Sequence, residues 1–312
     1  MASDLDIHVA SPEESIAAHR NVFEIWSRGL SFEEHLHYRL TSPSHRRATW
    51  FVGTQAGRVV VSLGCYPLRF RILGEELPGM AIGSVYTVSE CRGQGFAPRL
   101  LEAVERHQRE RHAALSVLYS DIEPSYYARL GYTLCPSLSG WREPAAASPA
   151  PATSARLVEI SVESNLPVLM KLYADYHGAM PLSVARDAEY WTAILQKYTD
   201  DKFYALEGQD GNWLGYLRIG RKADAWRITD FALADQSESL AEALCAALVE
   251  LAREGGAGRV GGWLPDSGAA NLFFAPTQRR IEITMIKRLA WSGKLTDELI
   301  AGTSRFCEID HV

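Results

Sequence analysis

The run Val85-Tyr86-Thr87-Val88-Ser89-Glu90-Cys91-Arg92-Gly93-Gln94-Gly95-Phe96-Ala97 joins a β-branched, aromatic stretch to a glycine-rich turn and then to a helical pattern. Glycine lets the backbone adopt conformations closed to other residues and come close to a ligand. The first amides of a helix have no intrahelical acceptor, and the helix dipole favours negative charge there. A strand, a glycine turn and a helix in that order make a cradle for a phosphate or pyrophosphate. Arg92 adds a fixed positive charge at its entrance. The spacing Arg-x-x-Gly-x-Ala is neither the dinucleotide fingerprint nor the P-loop.

The flanking elements must hold this turn open. After it, Phe96, Leu100 and Val104 recur every fourth residue, as do Ala97 and Leu101, so a helix to about residue 112 has one apolar face. Glu102 with Arg106 and Glu105 with Arg109 form i,i+4 pairs on it, and Pro98 is tolerated in a first turn. Upstream, the pattern predicts a strand over 6–9, a helix capped by Ser11-Pro12-Glu13-Glu14, and a second helix over 32–40. Strands over 49–54 and 58–72 are joined by a Gln55-Ala56-Gly57 turn. Downstream come a strand over 114–119, a short helix over 125–130 and an extended piece over 133–142.

The small-residue and proline run from 144 to 154 reads as a semi-rigid linker. Beyond it the element order repeats. A strand over 156–160, helices over 165–177 and 188–198, and paired strands around Gln209-Asp210-Gly211 precede a strand over 226–233. A helix over 240–253 and strands over 259–264 and 283–289 follow. This predicts an α/β fold of two tandem units, each a mixed, mostly antiparallel sheet flanked by helices. The units span 1–143 and 156–292, separated by a linker at 144–155 and followed by a tail at 293–312. The repeat breaks where the second copy reads Asp230-Phe231-Ala232-Leu233-Ala234-Asp235-Gln236-Ser237-Glu238, without glycine. Asp235 and Glu238 are expected to cap that helix and repel phosphate. The second unit is then a structural partner, or a wall of the substrate cleft.

These residues resemble the GNAT acetyltransferase superfamily in tandem form. Its acyl-CoA motif, Gln/Arg-x-x-Gly-x-Gly/Ala, is matched by Arg92, Gly95 and Ala97. A second motif, Tyr-x-Arg/Lys-x-Gly-Phe/Tyr, is matched by Tyr127-Ala128-Arg129-Leu130-Gly131-Tyr132, about thirty residues on. The resemblance implies acetyl-CoA as cofactor. Amides of Arg92, Gly93, Gln94, Gly95, Phe96 and Ala97 would hold its pyrophosphate. Main-chain groups of Val85, Tyr86, Thr87 and Val88 would pair with its pantetheine arm. Tyr127 would give a proton to the departing thiolate, with Tyr126 the rival. The partner would be a primary amine on a small molecule or peptide, attacking directly in a ternary complex. Positioning and electrostatics can supply most of the rest, because the acyl group arrives activated.

The base is open at this stage. Among tandem relatives, the enhanced intracellular survival acetyltransferases pair an active first domain with a degenerate second one. In them the C-terminal carboxylate enters the first active site as base. That resemblance makes Val312 a candidate, although this sequence lacks a sterol-carrier-like third domain and has Val312 where an aromatic residue would stand. Asp121 and Glu123 follow the 114–119 strand, and Glu33, Glu34, His35 and His37 lie on the second helix. Loop solvation, capping and surface packing are the bland alternatives for all of these. Mycothiol synthase shares the tandem layout but keeps its productive site in the second half. A non-catalytic acyl-CoA sensor is the reading from another class.

Composition sets outer bounds. Across 312 residues the formal charge is -6, which argues against a general nucleic-acid binder. The five cysteines show no metal-ligand or disulfide spacing. No apolar run is long enough for a membrane span and no signal segment is visible, so a cytoplasmic enzyme is expected. Metal is not expected, and oligomeric state is open, a homo-oligomer being one option.

Overall fold

The computed structural model describes residues 4–27, 29–146 and 155–312. Most of the linker expected at 144–155 lies outside them. The chain opens with β1 (Asp6–Val9), α1 (Pro12–Trp26), α2 (Phe32–Thr41) and the one-turn α3 (Pro43–Arg46). Ser11 with Glu14 and Ser31 with Glu34 form reciprocal capping boxes that fix where α1 and α2 begin. Next come β2 (Thr49–Gln55), β3 (Arg58–Ile72), β4 (Glu75–Thr87), α4 (Phe96–Arg109), β5 (Leu115–Ser120), α5 (Ser125–Ala128), β6 (Thr133–Leu134) and β7 (Leu138–Arg142). The second half comprises β8 (Arg156–Ile160), α6 (Val162–Gly178), β9 (Leu182–Ala185), α7 (Ala188–Leu195), β10 (Lys202–Glu207), β11 (Trp213–Lys222) and β12 (Ala225–Leu233). It continues with α8 (Glu238–Glu254), β13 (Arg259–Trp263), α9 (Gly268–Phe274), β14 (Thr277–Gln278), β15 (Ile283–Arg288) and α10 (Asp297–Gly302). Two 3-10 turns, Thr303–Arg305 and Glu308–Asp310, complete it.

Two mostly antiparallel sheets result, flanked by helices. The first runs β1-β2-β3-β4-β5-β15-β6, with β9 added on β3; the second runs β8-β10-β11-β12-β13-β7-β14. The orders correspond position by position. Each contains one parallel pair, β4 with β5 and β12 with β13, joined by a crossover helix, α4 or α8. An unexpected feature is an exchange of strands. The stretch expected as one extended piece over 133–142 splits, and β7 pairs with β13 of the second sheet. In return β15 pairs with β5 of the first. Two glycines let β7 fit here: a Cβ on Gly261 would run into the Gly140 carbonyl oxygen across the β7–β13 ladder, and one on Gly140 would lie 2.9 Å from Phe274 of α9.

The same sharing shows in the core. One cluster of buried side chains holds Phe70 and Tyr66 of β3 together with Trp191, Tyr216 and Phe231 of the second half. A second lies under α4, where Leu100 and Val104 meet Met80, Ile82 and Met285. The 293–312 segment belongs to the first cluster: Leu299, Phe306, Cys307 and Ile309 are buried, and the Phe306 ring stacks on Phe70 with centroids 6.3 Å apart.

Candidate active site

Strands β4 and β5 hydrogen-bond only over Met80–Ile82 and Ser116–Leu118. Beyond that rung the strands part. Ser84, at φ +53°, makes a bulge in the β3–β4 ladder, so Gly83 pairs with Gly64 and Tyr86 with Ser62. Past the bulge β4 stays bonded to β3, through Tyr86 and Thr87, while no strand among the described residues covers its other edge. Val85, Tyr86 and Thr87 therefore offer backbone groups to a ligand lying in the wedge.

The glycine turn follows directly. Gly93 and Gly95 stand at φ +78° and +75°, the left-handed region that other residues enter only with strain. Gly95 caps α4 without any side-chain bond, and Pro98 removes a donor that the first turn would otherwise leave unpaired. Among the described residues, the amides of Gly93, Gln94, Gly95, Phe96 and Ala97 find no acceptor. Five open donors at the N-terminus of a 14-residue helix suit a pyrophosphate. Arg92 is exposed beside them, its Nε donating to the Thr87 carbonyl at 3.1 Å and its guanidinium 5.6 Å from the Tyr86 ring. Glu90, just before the glycines, is paired with Arg58 at 2.5 Å.

The Tyr127–Tyr132 stretch is held against the same core. Tyr127 is buried on α5, in one cluster with Val88, Phe96 and Leu100. Burial, with Tyr126 and Asp121 nearby, pushes its phenol well above the ordinary value, so it stays protonated. Tyr132 is anchored by a 2.8 Å hydrogen bond with Ser116. Gly131, at φ +86°, lets Lys287 of the exchanged β15 approach, and the Lys287 ammonium donates to the Leu130 carbonyl and to Glu105 of α4, both at 2.6 Å. A strand from the second half thus braces the helix that carries Tyr127.

Residues 14–135 match the acetyltransferase (GNAT) domain family. No curated protein matches the chain. Among solved structures, an Enterococcus faecalis protein described as a probable N-acyltransferase superimposes with a TM-score of 0.75 at 13% identity, over 93% of this chain and 74% of that one. Eis1 of Mycobacterium abscessus gives 0.64 at 17%, covering 92% and 74%. Saccharomyces cerevisiae N-myristoyltransferase, solved with bound myristoyl-CoA, gives 0.59 at 11%, covering 94% and 84%. At these identities the likeness is one of fold, and it extends across both halves.

Within and beyond the matched region the other candidates lie apart from one another. Asp121 is exposed and accepts the Glu282 amide at 3.0 Å, while Glu123 is exposed and its carbonyl accepts the Tyr126 amide. Glu34 caps α2, and Glu33 and His37 are exposed. His35 is buried at the edge of a cleft of about 820 Å³ that lies between the halves. The end of the chain goes elsewhere. His311 stands edge-on to Tyr119 of β5 with centroids 4.9 Å apart, and Val312 lies against Gly83 of β4, 3.3 Å from where a Cβ would be. Gly83 and Tyr119 are the first residues past the last paired rung, so this segment ends in the mouth of the wedge.

Sequence reasoning passed over several residues around this mouth. Tyr66 lies over Gly64 and Gly83, and Tyr119 is half-buried with its hydroxyl enclosed and unpartnered among the described residues. Glu308, on the cleft wall, is pushed up to about 7 by burial, against the pull of Arg227 2.8 Å away. For the two tyrosines the only signal was alternation of apolar residues, which also describes an ordinary core, while Glu308 was visible only as one of the acids of the tail. In the second half the helix start differs from expectation. Asp235 accepts the Ser237 amide, but Glu238 reaches across to the Ala269 amide of α9 instead of capping α8. Among the described residues no cluster of three or more His, Cys, Asp or Glu could hold a metal, and no helix is long and apolar enough to cross a membrane.

Proposed function

We propose that this protein is an acyl-CoA-dependent N-acyltransferase that moves an acetyl group from acetyl-CoA to a primary amine of a small molecule or peptide, in a ternary complex. The observation that carries the reading is the row of free amides from Gly93 to Ala97 at the end of a strand whose outer edge is open. The residues fit the cofactor: the amides and Arg92 for its pyrophosphate, and the main chain of Val85, Tyr86, Thr87 and Val88 for its pantetheine arm. Acetyl-CoA supplies an activated carbonyl and a thiolate leaving group.

Tyr127 acts as the acid. Its phenol, protonated at neutral pH, passes a proton to the sulfur as the carbon–sulfur bond breaks. The amine forms the new carbon–nitrogen bond and releases a proton to a base. For the base we favour the chain's last residues at Val312 over Asp121 and Glu123, since Asp121 already accepts a backbone amide. The amine enters through the cleft between the halves, which Glu308 and Arg227 wall. Residues 1–143, with β15 added in exchange for β7, form the acyl-CoA unit in this reading. Residues 156–292 form a second unit of the same kind without a coenzyme site, since no glycine opens the start of α8.

The test is thiol release from acetyl-CoA against a panel of amines. Tyr127→Phe should lower turnover by about 100-fold or more while coenzyme A binds as before. A wild-type protein that acylates no amine, yet binds coenzyme A, would replace this reading with that of a sensor.

A further inference from the structure

The last five residues touch the first half at Gly83 and Tyr119, while Arg186, Lys197 and Arg227 of the second half bind them, most strongly through a buried ion bridge. Arg186, just past β9, donates from Nη1 and Nη2 to Asp230 of β12 at 2.8 and 3.0 Å. The same guanidinium donates from Nε and Nη2 to Asp310 at 3.0 and 2.8 Å. All three side chains are fully buried. The Tyr216 hydroxyl donates to Asp230 at 2.8 Å, and the guanidinium lies 3.7 Å from the centre of the Tyr173 ring. Two further contacts follow the chain outward. Arg227 pairs with Glu308, and the Lys197 ammonium donates to the carbonyls of Ile309 and His311.

Buried ion pairs rarely repay their desolvation better than an apolar packing would, so stability alone is a weak account of this bridge. Its geometry is what an apolar packing would not reproduce. Two carboxylates on one planar guanidinium fix direction as well as distance. Asp310 is two residues from Val312, whose neighbours are Gly83 and, through His311, Tyr119, at the mouth of the β4–β5 wedge.

We propose that Arg186, seated on Asp230, is a positioning residue that holds Asp310 and with it sets residues 311 and 312 at the first half's reaction centre, Lys197 completing the clamp. The second half, which has no coenzyme site in our reading, thereby contributes part of the first half's active site. The proposal rests on the acyltransferase reading above.

Removing Arg186 alone would strand two buried carboxylates and can prevent folding. The test therefore uses Lys197→Met and Asp310→Asn, with Lys197→Arg as the conservative control. Hydrogen exchange of the 309–312 amides, coenzyme A affinity and steady-state kinetics are read on each. In Lys197→Met, exchange should accelerate and kcat should fall by about 100-fold, the penalty expected of a displacement near 1 Å, with coenzyme A affinity unchanged. Lys197→Arg should recover both. Asp310→Asn should give the same pattern. Faster exchange with unchanged kcat overturns the proposal, and so does lost kcat with exchange as in the wild type. A wild-type protein that acylates no amine overturns the enzymatic reading alone, and tail exchange in Lys197→Met then decides whether the clamp exists.

Discussion

Replacing Gly95 with alanine separates the cost of a left-handed backbone from the cost of a blocked ligand, because Gly57 supplies a matched control. The two glycines stand at φ +75° and +76°, and a Cβ on either would meet nothing within 4 Å. One closes the β2–β3 turn and the other starts α4. With space equal and angle equal, each substitution should cost the same about 1–2 kcal/mol of backbone strain. That lowers the melting midpoint by about 1.5–3 °C at the entropy of unfolding usual for a chain of this size. Binding should divide them. If a pyrophosphate oxygen sits on the Gly95 amide, the added methyl pushes it off that donor, and losing one charge-assisted hydrogen bond costs about 1.5–3 kcal/mol, which is about 10- to 150-fold in Kd. Gly57→Ala should leave Kd within experimental error. Thermal unfolding and calorimetric titration with coenzyme A measure both quantities on the same preparations. A Gly95→Ala protein that binds coenzyme A as tightly as Gly57→Ala would refute the assignment of the loop.

Other expected outcomes concern the scaffold. Gly261→Ala should destabilise the whole protein by about 1–3 kcal/mol in urea unfolding, because its Cβ would press on the Gly140 carbonyl across the exchanged β7–β13 ladder; an unchanged midpoint would mean that this pairing does not form. Acid should unfold the protein partly through His177, which burial holds near 4 against an ordinary 6.5. The folded state favours neutral imidazole, so its contribution is complete above about pH 6.5 and lost as pH falls toward 4. His177→Gln, whose amide nitrogen reaches as far as Nε2 and keeps a donor for the Phe231 carbonyl, should flatten the stability curve in that window by about 3 kcal/mol, read from urea titrations at several pH values.

The local parts of the site were readable in advance for a definite reason. Ser11 with Glu14, the apolar face of α4 and the left-handed Gly95 are each determined by residues within one or two helical turns, so their signals sit side by side in the chain. The Tyr127 motif was visible for the same reason, although its glycine proved to serve Lys287, 156 positions on from Gly131. What was misjudged is non-local. The exchange of β7 with β15 leaves no local trace, because either strand would satisfy the edge of either sheet by pattern alone. Glu238 looked like a cap for its own helix and found a partner on α9, since nothing near it in the chain encodes the distance to Ala269.

From its sequence alone, then, the chain carries an α/β fold of repeated form and a glycine turn at Arg92–Ala97 that leads into a helix, both products of short-range sterics. The tertiary structure alone decided that the two sheets trade strands, that β15 braces the Tyr127 helix through Lys287, and that the last residues lie in the β4–β5 wedge. Those choices depend on which surfaces are buried together and on a guanidinium shared by carboxylates 80 residues apart. Such a contact exists only once the chain has folded.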